Sequence, residues 1–446
     1  MAQLEFTHAQ NDLKSLADLI LNRAIHLGAT SAQLAINESI ETGVEVLNGD
    51  IESIETSYDS NIGLSVYVGQ NQGNVGISQV PPANLDMIIK QALDTAKYTQ
   101  ADLHNGIADK EDLCTGFTDN LQLYNPTSID NLQIIQQALD LENIGLNTDK
   151  HVNASDGAAI SLGKYNFIIA NTNGLNLGYM TTRYSKSLSL IGQAKNGMQT
   201  DYWYSSTRDY DDLQNNLDLA KYAVSRVKRR LNKGKIKSGN YSVIFEANIA
   251  KSLIGNFLGA ISGGSLYRKL SFLNNSLNTQ VFPDWLNITE DPFIIKGSAS
   301  SYFDNEGVNV YKRDLVKSGI VNGYLLSSYS ARKLGMKTTG NSGGNHNIQV
   351  NSNITGDITS LAAKMDCGMV IIETIGHGLN MVTGDYSVGA SGLWVEKGEI
   401  KFFVEGLTIA GNLKTIFKNI RYISNDYLKS SIQCGSMLVD SINVSV

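Results

Sequence analysis

Cysteine is scarce: Cys114, Cys367 and Cys434 are the only three in 446 residues. Their spacing matches no zinc ribbon and an odd count cannot pair completely, which excludes a disulfide framework and points to a reducing compartment. Long apolar runs are missing too. Stretches such as Gly368 to Ile372 fall far short of the roughly 20 residues that a bilayer-crossing helix needs. The opening MAQLEFTHAQNDLKSLADLI is amphipathic and carries Glu5, Asp12 and Asp18 in place of a basic start and an apolar core, so a cytoplasmic location and no membrane partner are expected. A net charge of -7 disfavours a polyanion as main partner. Hydrophobic residues at 42% and charged residues at 18% describe an ordinary soluble globular chain, long enough for two or three domains.

Catalytic signatures are as sparse. A zincin needs two histidines one helical turn apart with a glutamate beside them. None of the six histidines here is followed by glutamate, and no two lie within five positions, so HExxH and HExxxH are both absent. Glu373 and His377 are four apart, but Gly368 to Ile372 reads as a strand and Gly376 and Gly378 bracket His377, which predicts a turn. There is no Gly-x-Ser-x-Gly elbow, and Ser391 lacks its second glycine spacing. Gly259 to Ser265 lacks the Gly-Lys ending of a phosphate loop. The dense basic cluster Arg226, Lys228, Arg229, Arg230, Lys233, Lys235 and Lys237 ends a helix with no aromatic residue interleaved, so a solvated helix end is the expectation and nucleic acid is not an expected partner.

Periodicity predicts an α+β fold: an N-terminal α/β region of helices packed on antiparallel sheets, then a strand-rich, barrel-like C-terminal domain. Residues 12–27 place Leu13, Leu16, Leu19, Ile20, Ala24 and Leu27 at helical spacing. Short alternating runs follow, QLAINES, GVEVLNGDIESIETS, NIGLSVYVG and NQGNVGISQV, with Asn48-Gly49 as a type I′ hairpin turn. Pro81-Pro82 ends this meander, and Leu85, Ile88, Ile89, Ala92, Leu93 and Ala96 mark a second helix. A second unit repeats the order: a helix with Leu132, Ile135, Ala138 and Leu139 on one face, strands in 158–178 and 183–193 with an Asn173-Gly174 turn, and a helix over 213–231. Duplication is conceivable, although the halves do not align by eye. Boundaries are expected at 1–99, 100–235 and 236–446, with helical insertions at 250–258 and 329–334 in the last part.

Glycine is what the chain has in plenty, densest in GNFLGAISGGSLYRK, Gly255 to Lys269, and in TGDYSVGASGLWVEKG, Thr383 to Gly398. Such density permits close backbone approach and reads as a surface for another chain or a ligand, such as an extended peptide adding as a strand; ordinary tight turns explain it almost as well. These segments, with ITEDP, FDNEGV, YSARKLGMK, TIAGNL and IQCGS in consistent order, resemble the TldD/PmbA family (peptidase U62) on its PmbA, or TldE, branch. NGDIES and GLSVYVG match more loosely. The resemblance implies a cytoplasmic metalloprotease of two kinds of subunit that processes or degrades small unfolded peptides, with zinc in a TldD-type partner. Where the peptidase branch carries its His-Glu-x-x-x-His helix, this chain reads ANIAKSLIGNFLGAISGG after the strand Tyr241 to Phe245, so no catalytic residue and no cofactor are expected in it. Cys434-Gly435 resembles the Cys-Gly that supplies a zinc ligand in that branch; one soft ligand without histidines holds zinc poorly, and a buried free cysteine at a strand end is favoured. Substrate-binding candidates are Gly263, Gly264, Ser265, Arg268, Thr383, Gly384, Asp385 and Tyr386. Partners would be the TldD-type subunit in a hetero-oligomer and the peptide, with a homodimer open to the isolated chain. Two alternatives stand beside this: a non-enzymatic regulatory or nucleic-acid-interacting protein, the family's gyrase-modulator reading, and an atypical metallopeptidase using Cys434, His377 and Glu373.

Overall fold

The computed structural model describes residues 5–78, 82–194 and 197–446; of the proline pair expected to end the first meander, Pro81 lies outside them. The N-terminal half is two α-β-β-β-α units in succession. The first comprises α1 (Gln10–His26), β1 (Ser31–Leu47), β2 (Asp50–Val68), β3 (Asn71–Ile77) and α2 (Leu85–Tyr98). The second comprises α3 (Asn131–Thr148), β4 (Val152–Asn171), β5 (Asn176–Ala194), β6 (Gly197–Thr207) and α4 (Asn216–Leu231). Antiparallel pairing of β1 with β4 fuses both into one sheet of order β3-β2-β1-β4-β5-β6. The two units are thus arranged about a central strand pair, as a duplication would leave them.

The strands are longer than the pattern suggested. QLAINES and the first arm of the Asn48-Gly49 hairpin are one 17-residue strand, and the second arm continues through NIGLSVYVG as 19 residues. Positions 54–59 are exposed, so alternation vanishes there while backbone pairing continues. Asn48 and Gly49 have φ of 54° and 81°, as a type I′ turn requires. Leu34, Ile36, Val44 and Val46 of β1 join the two clusters packed beneath the four helices. In α1 the buried stripe is Leu13, Ala17, Ile20, Leu21 and Ala24, leaving Leu19 exposed. In α3 it is Ile134, Ala138, Leu141 and Gly145, again a rotation from the expected face that leaves Leu132 exposed. That rotation lets buried Glu142 accept the backbone N–H groups of Asn48 at 2.9 Å and Gly49 at 2.8 Å, tying the hairpin of the first unit to the helix of the second.

The C-terminal part contains β7 (Gly239–Phe245), α5 (Ala247–Ala260), α6 (Gly263–Tyr267), β8 (Ile288–Asp291), β9 (Arg313–Lys317), β10 (Ile320–Val321), α7 (Ser328–Leu334), β11 (Asn347–Val350), α8 (Ile358–Ala362), β12 (Cys367–Ile375), β13 (Asp385–Glu396), β14 (Glu399–Asn412), α9 (Leu413–Lys418), β15 (Ile420–Ile423), β16 (Ile432–Gln433) and β17 (Met437–Ser445). Strands β14-β13-β12-β7-β17 form a ring that closes where β14 pairs with β17, the barrel expected from the strand-rich sequence. A second sheet runs β10-β9-β8-β11-β16. Helix α5 shares one core with both: Leu253, Ile254, Phe257 and Leu258 pack with Phe245 and Ile409 of the barrel and Ile288 and Ile348 of the second sheet. Its own composition of Ala, Ile, Leu and Phe makes that burial favourable. The face of the N-terminal sheet opposite the helices meets this part through Phe167 and Tyr179 against Phe303, with Tyr179 and Phe303 centroids 5.4 Å apart and edge-on.

Candidate functional site

Two adjoining cavities form a cleft along one side of α5. The larger, about 810 Å³, lies between β6 and the C-terminal loops and is lined by Trp203 to Thr207, Arg183, Lys251, Gly343 to Asn345 and Ser430-Ser431. The smaller, about 480 Å³, continues past Gly343 to Asn345 to Gly255, Gly259 and the start of α6. Strand β6 is the last in its sheet and pairs only with β5 among the described residues, leaving one backbone edge open.

Residues Lys251, Gly255 and Gly259 recur every fourth position on α5, so they share the helix face toward the cleft. Glycine inside a helix costs roughly 1 kcal/mol relative to alanine. Core packing does not compel it at 255, where an added Cβ would meet nothing nearer than Ile432 Cδ1 at 3.9 Å. The opposite wall is held rigidly by buried acids. Glu290 accepts from Asn341 Nδ2 at 2.8 Å and His346 N at 2.9 Å, Arg313 Nη2 donates to Asn341 Oδ1 at 2.6 Å, and Asp304 accepts from Ser342 N at 2.9 Å. Burial, then the neighbouring Glu306 charge, pushes the Asp304 carboxyl up to about 7.

The residues here do not fit a zinc ion. At the helix where a metallopeptidase would present imidazoles, the buried side chains are Ala247, Ile249, Ala250, Leu253, Ile254, Phe257, Leu258 and Ala260. Cys434 sits buried at the end of β16, its Sγ donating to Gly435 O at 3.4 Å, and burial together with the Asp426 charge drives its thiol pKa strongly upward, away from the thiolate a metal needs. Glu373, on β12, accepts from Arg230 at 2.9 Å, while His377 is exposed in the turn beyond the strand. Among the described residues no three His, Cys, Asp or Glu side chains cluster as a metal site.

Of the sequence candidates, Gly263 and Gly264 line the smaller cavity. Ser265 is one turn into α6, accepting from the Ser262 hydroxyl at 3.1 Å, and Arg268 folds back so that its Nε donates to Gly264 O at 2.7 Å. The Thr383 segment lies apart from both cavities. Gly384, at φ 83°, faces Phe272, whose N–H donates to Met381 O at 2.7 Å, and Met381 in turn covers Gly259. Asp385 is held by Thr383 Oγ1 at 2.7 Å and Asn412 Nδ2 at 2.9 Å, bonds that lower its pKa; Tyr386 is in the barrel core and raised to about 12 by burial. The two glycine-rich segments are therefore neighbours across Phe272 and Met381, with only the first on the cleft.

The arginines of the basic cluster are not a solvated helix end, whereas Lys228, Lys235 and Lys237 are exposed as expected. Arg226 is 3% and Arg230 is 7% exposed. Arg226 bonds Asp201 at 3.0 Å and Glu246 at 3.2 Å, Arg229 bonds Glu246 at 2.5 Å, and Arg230 bonds Asp201 at 2.8 Å and Glu373. The reason is geometric: α4 lies against β6 and the barrel, which bring three carboxylate partners that no local pattern reveals. Sequence reasoning also missed Lys251, Arg183 and β6; the glycine pair 343–344, both at positive φ, was the one local signal for the far wall.

Fold and cleft together define an α+β protein whose closed barrel and capping sheet enclose a helix that floors a polar groove. Profiles of the PmbA/TldA metallopeptidase family match in order: domain 1 at residues 32–96, the central domain at 124–231 and the C-terminal domain at 238–446. The metalloprotease PmbA homologue of Haemophilus influenzae is 38% identical over 98% of this chain and 96% of its own, and metalloprotease PmbA of Escherichia coli O157:H7 is 37% identical over 93% and 92%. A Bacteroides thetaiotaomicron structure, described as a candidate modulator of DNA gyrase, superposes with a TM-score of 0.91 at 26% identity over 98% of this chain and 99% of that one. TldE from Thermococcus kodakarensis shares the fold, with a TM-score of 0.85 at 17% identity over 97% and 100%. The chain belongs to the PmbA/TldA metallopeptidase family.

Proposed function

We propose that this chain is the zinc-free, PmbA/TldE-type subunit of a cytoplasmic two-chain peptidase, holding short unfolded peptides for hydrolysis by zinc-activated water in a TldD-type partner. The observation that carries this reading is the face of α5 at the cleft: Lys251, Gly255 and Gly259 give room and a charge but no metal donor and no nucleophile. An open β6 edge beside that face suits an extended peptide, whose backbone would add hydrogen bonds along the strand. The relatives named as metalloproteases support peptide chemistry as the shared task. The nucleic-acid reading has less support, because Arg226, Arg229 and Arg230 are already neutralised by internal carboxylates.

Purification of the tagged chain from its native host, with metal analysis and peptide cleavage assayed before and after chelation, tests the proposal. A zinc-containing companion should copurify, the pair should cleave unfolded peptides, and a chelator should abolish that cleavage while leaving this chain folded. Cleavage by the isolated chain, or failure to recover any zinc-containing companion, would overturn it.

A further inference from the structure

The larger cavity carries positive charge that the protein itself does not neutralise. Arg183, Lys251 and Lys429 line it, and none of them pairs with a carboxylate among the described residues. The one acid on its wall, Asp212, is taken by Lys296 at 3.0 Å. Lys251 spends a single donor on Tyr204 Oη at 3.1 Å, leaving the others of its ammonium free. Arg208 stands beside Arg183, and their guanidiniums converge on one carbonyl: Arg183 Nη2 and Arg208 Nη2 donate to Ser298 O at 2.9 and 3.1 Å. Burial lowers the pKa of both, that of Arg208 to about 10. Arg226, Arg230 and Arg313, by contrast, each meet a carboxylate within the chain. Concentrating uncompensated cations in a cleft of a molecule whose net charge is -7 costs desolvation and mutual repulsion, which an anionic ligand would offset.

We infer that the cleft contains a carboxylate subsite, in which Lys251 receives a carboxylate of the bound peptide with Arg183 and Lys429 adding their field. This deepens the peptide-holding reading and rests on it. The carboxylate comes either from the C-terminus of the peptide or from an Asp or Glu side chain along it. Ser205, Ser206, Ser430 and Ser431 on the same walls supply neutral hydrogen-bonding groups around the charge. A peptide paired along β6 passes directly by Lys251, since Tyr204 of that strand already touches the ammonium.

The test uses the isolated full-length chain and one fluorescent alanine-rich hexapeptide in three forms: free acid, C-terminal amide, and amide with a central glutamate. Binding is read by anisotropy at low salt. At least one carboxylate-bearing form should bind about tenfold tighter than the neutral amide, the scale of one charge-assisted hydrogen bond. Which form gains separates the C-terminal from the side-chain source. Lys251→Met should erase most of the preference and Lys251→Arg should keep it, with raised salt shrinking it in the parent. Because Arg183 also braces Ser298, Arg183→Met is the secondary variant, read only alongside its unfolding midpoint. Equal binding of all three forms, or a preference unchanged in both Lys251→Met and Arg183→Met, overturns the subsite while leaving peptide holding intact. Binding of none of them overturns both.

Discussion

Gly263 and Gly264 are adjacent on the same short helix and tolerate a methyl group to opposite degrees. A Cβ at 263 would stand 2.2 Å from Ser330 Oγ and 2.5 Å from Ser330 Cβ, where α6 packs on α7; at 264 the nearest atom is Arg268 Nη2 at 3.2 Å, the tip of a flexible exposed side chain. Gly263→Ala should therefore cost about 1–3 kcal/mol by overpacking, whereas Gly264→Ala should stay within about 0.5 kcal/mol of the parent; urea midpoints at constant slope measure both. Asp304 gives the second residue-level expectation. Its folded pKa, about 7, lies above the ordinary 3.8, so the folded state binds the proton more tightly than the unfolded chain does. The stabilisation it provides is complete below about pH 4 and disappears as pH rises through about 7. The lowered carboxylates Asp86, Asp209 and Asp385 titrate below that window, where their effect has the opposite sign. Unfolding free energy should fall between about pH 4 and 7 in the parent, and Asp304→Asn, though weaker overall because Ser342 N–H loses its acceptor, should lack that slope. An identical slope in both proteins would exclude Asp304 as its origin.

The last two turns of α4 show where reading elements from sequence stops. Arg226, Arg229 and Arg230 looked like a solvated basic end because cations there complement the helix dipole and no aromatic residue is interleaved; their partners Asp201, Glu246 and Glu373 lie 25, 17 and 143 positions away, on other elements. Removing Arg226 takes one of two cationic partners from each of Asp201 and Glu246, which keep Arg230 and Arg229, so Arg226→Met should cost about 1.5–3 kcal/mol, the scale of a hydrogen bond to a charged group. Lys228→Met, on the exposed side of the same turn, breaks only its contact with Asp149 and should cost about 1 kcal/mol or less. Equal losses in thermal or urea unfolding would show that the network is not what anchors α4. Other elements were legible for equally physical reasons. The stripe Ile89, Ala92, Leu93 and Ala96 of α2 is buried as its spacing predicts, and Asn48-Gly49 turns as its φ preferences demand. The buried faces of α1 and α3 were rotated by a position or two, because an exposed leucine and a buried one look alike in sequence. Strand β6 went unseen, since its lone free edge and its tyrosine-rich alternation acquire meaning only beside the cleft. At the site, glycine density located Gly263 and Gly264, while Lys251 and Arg183 carry no local motif and become neighbours through the packing of two separate sheets.

On the scale of the whole molecule, the cleft exists because an N-terminal sheet edge, a barrel-packed helix and the rigid loop 341–346 leave space that no side chain fills. Gly255 is the position at which that space can be removed without disturbing the parts around it. Its backbone is helical, the nearest atom to a built Cβ is 3.9 Å away, and the residue borders the smaller cavity. Replacement of glycine by leucine within a helix gains up to about 0.8 kcal/mol of propensity, so Gly255→Leu should unfold no earlier than the parent. The added isobutyl group would occupy the groove between α5 and Gly343 to Asn345. If peptides are held there, binding of the hexapeptide probe should fall at least about tenfold, the loss expected when an apolar side chain blocks backbone pairing and displaces ordered water. Recovery of the zinc-containing companion should not change, because the added side chain lies inside the groove, and cleavage by the assembled pair should drop in step with binding. Unaltered binding and cleavage in a protein of parental stability would place peptide capture somewhere other than this groove.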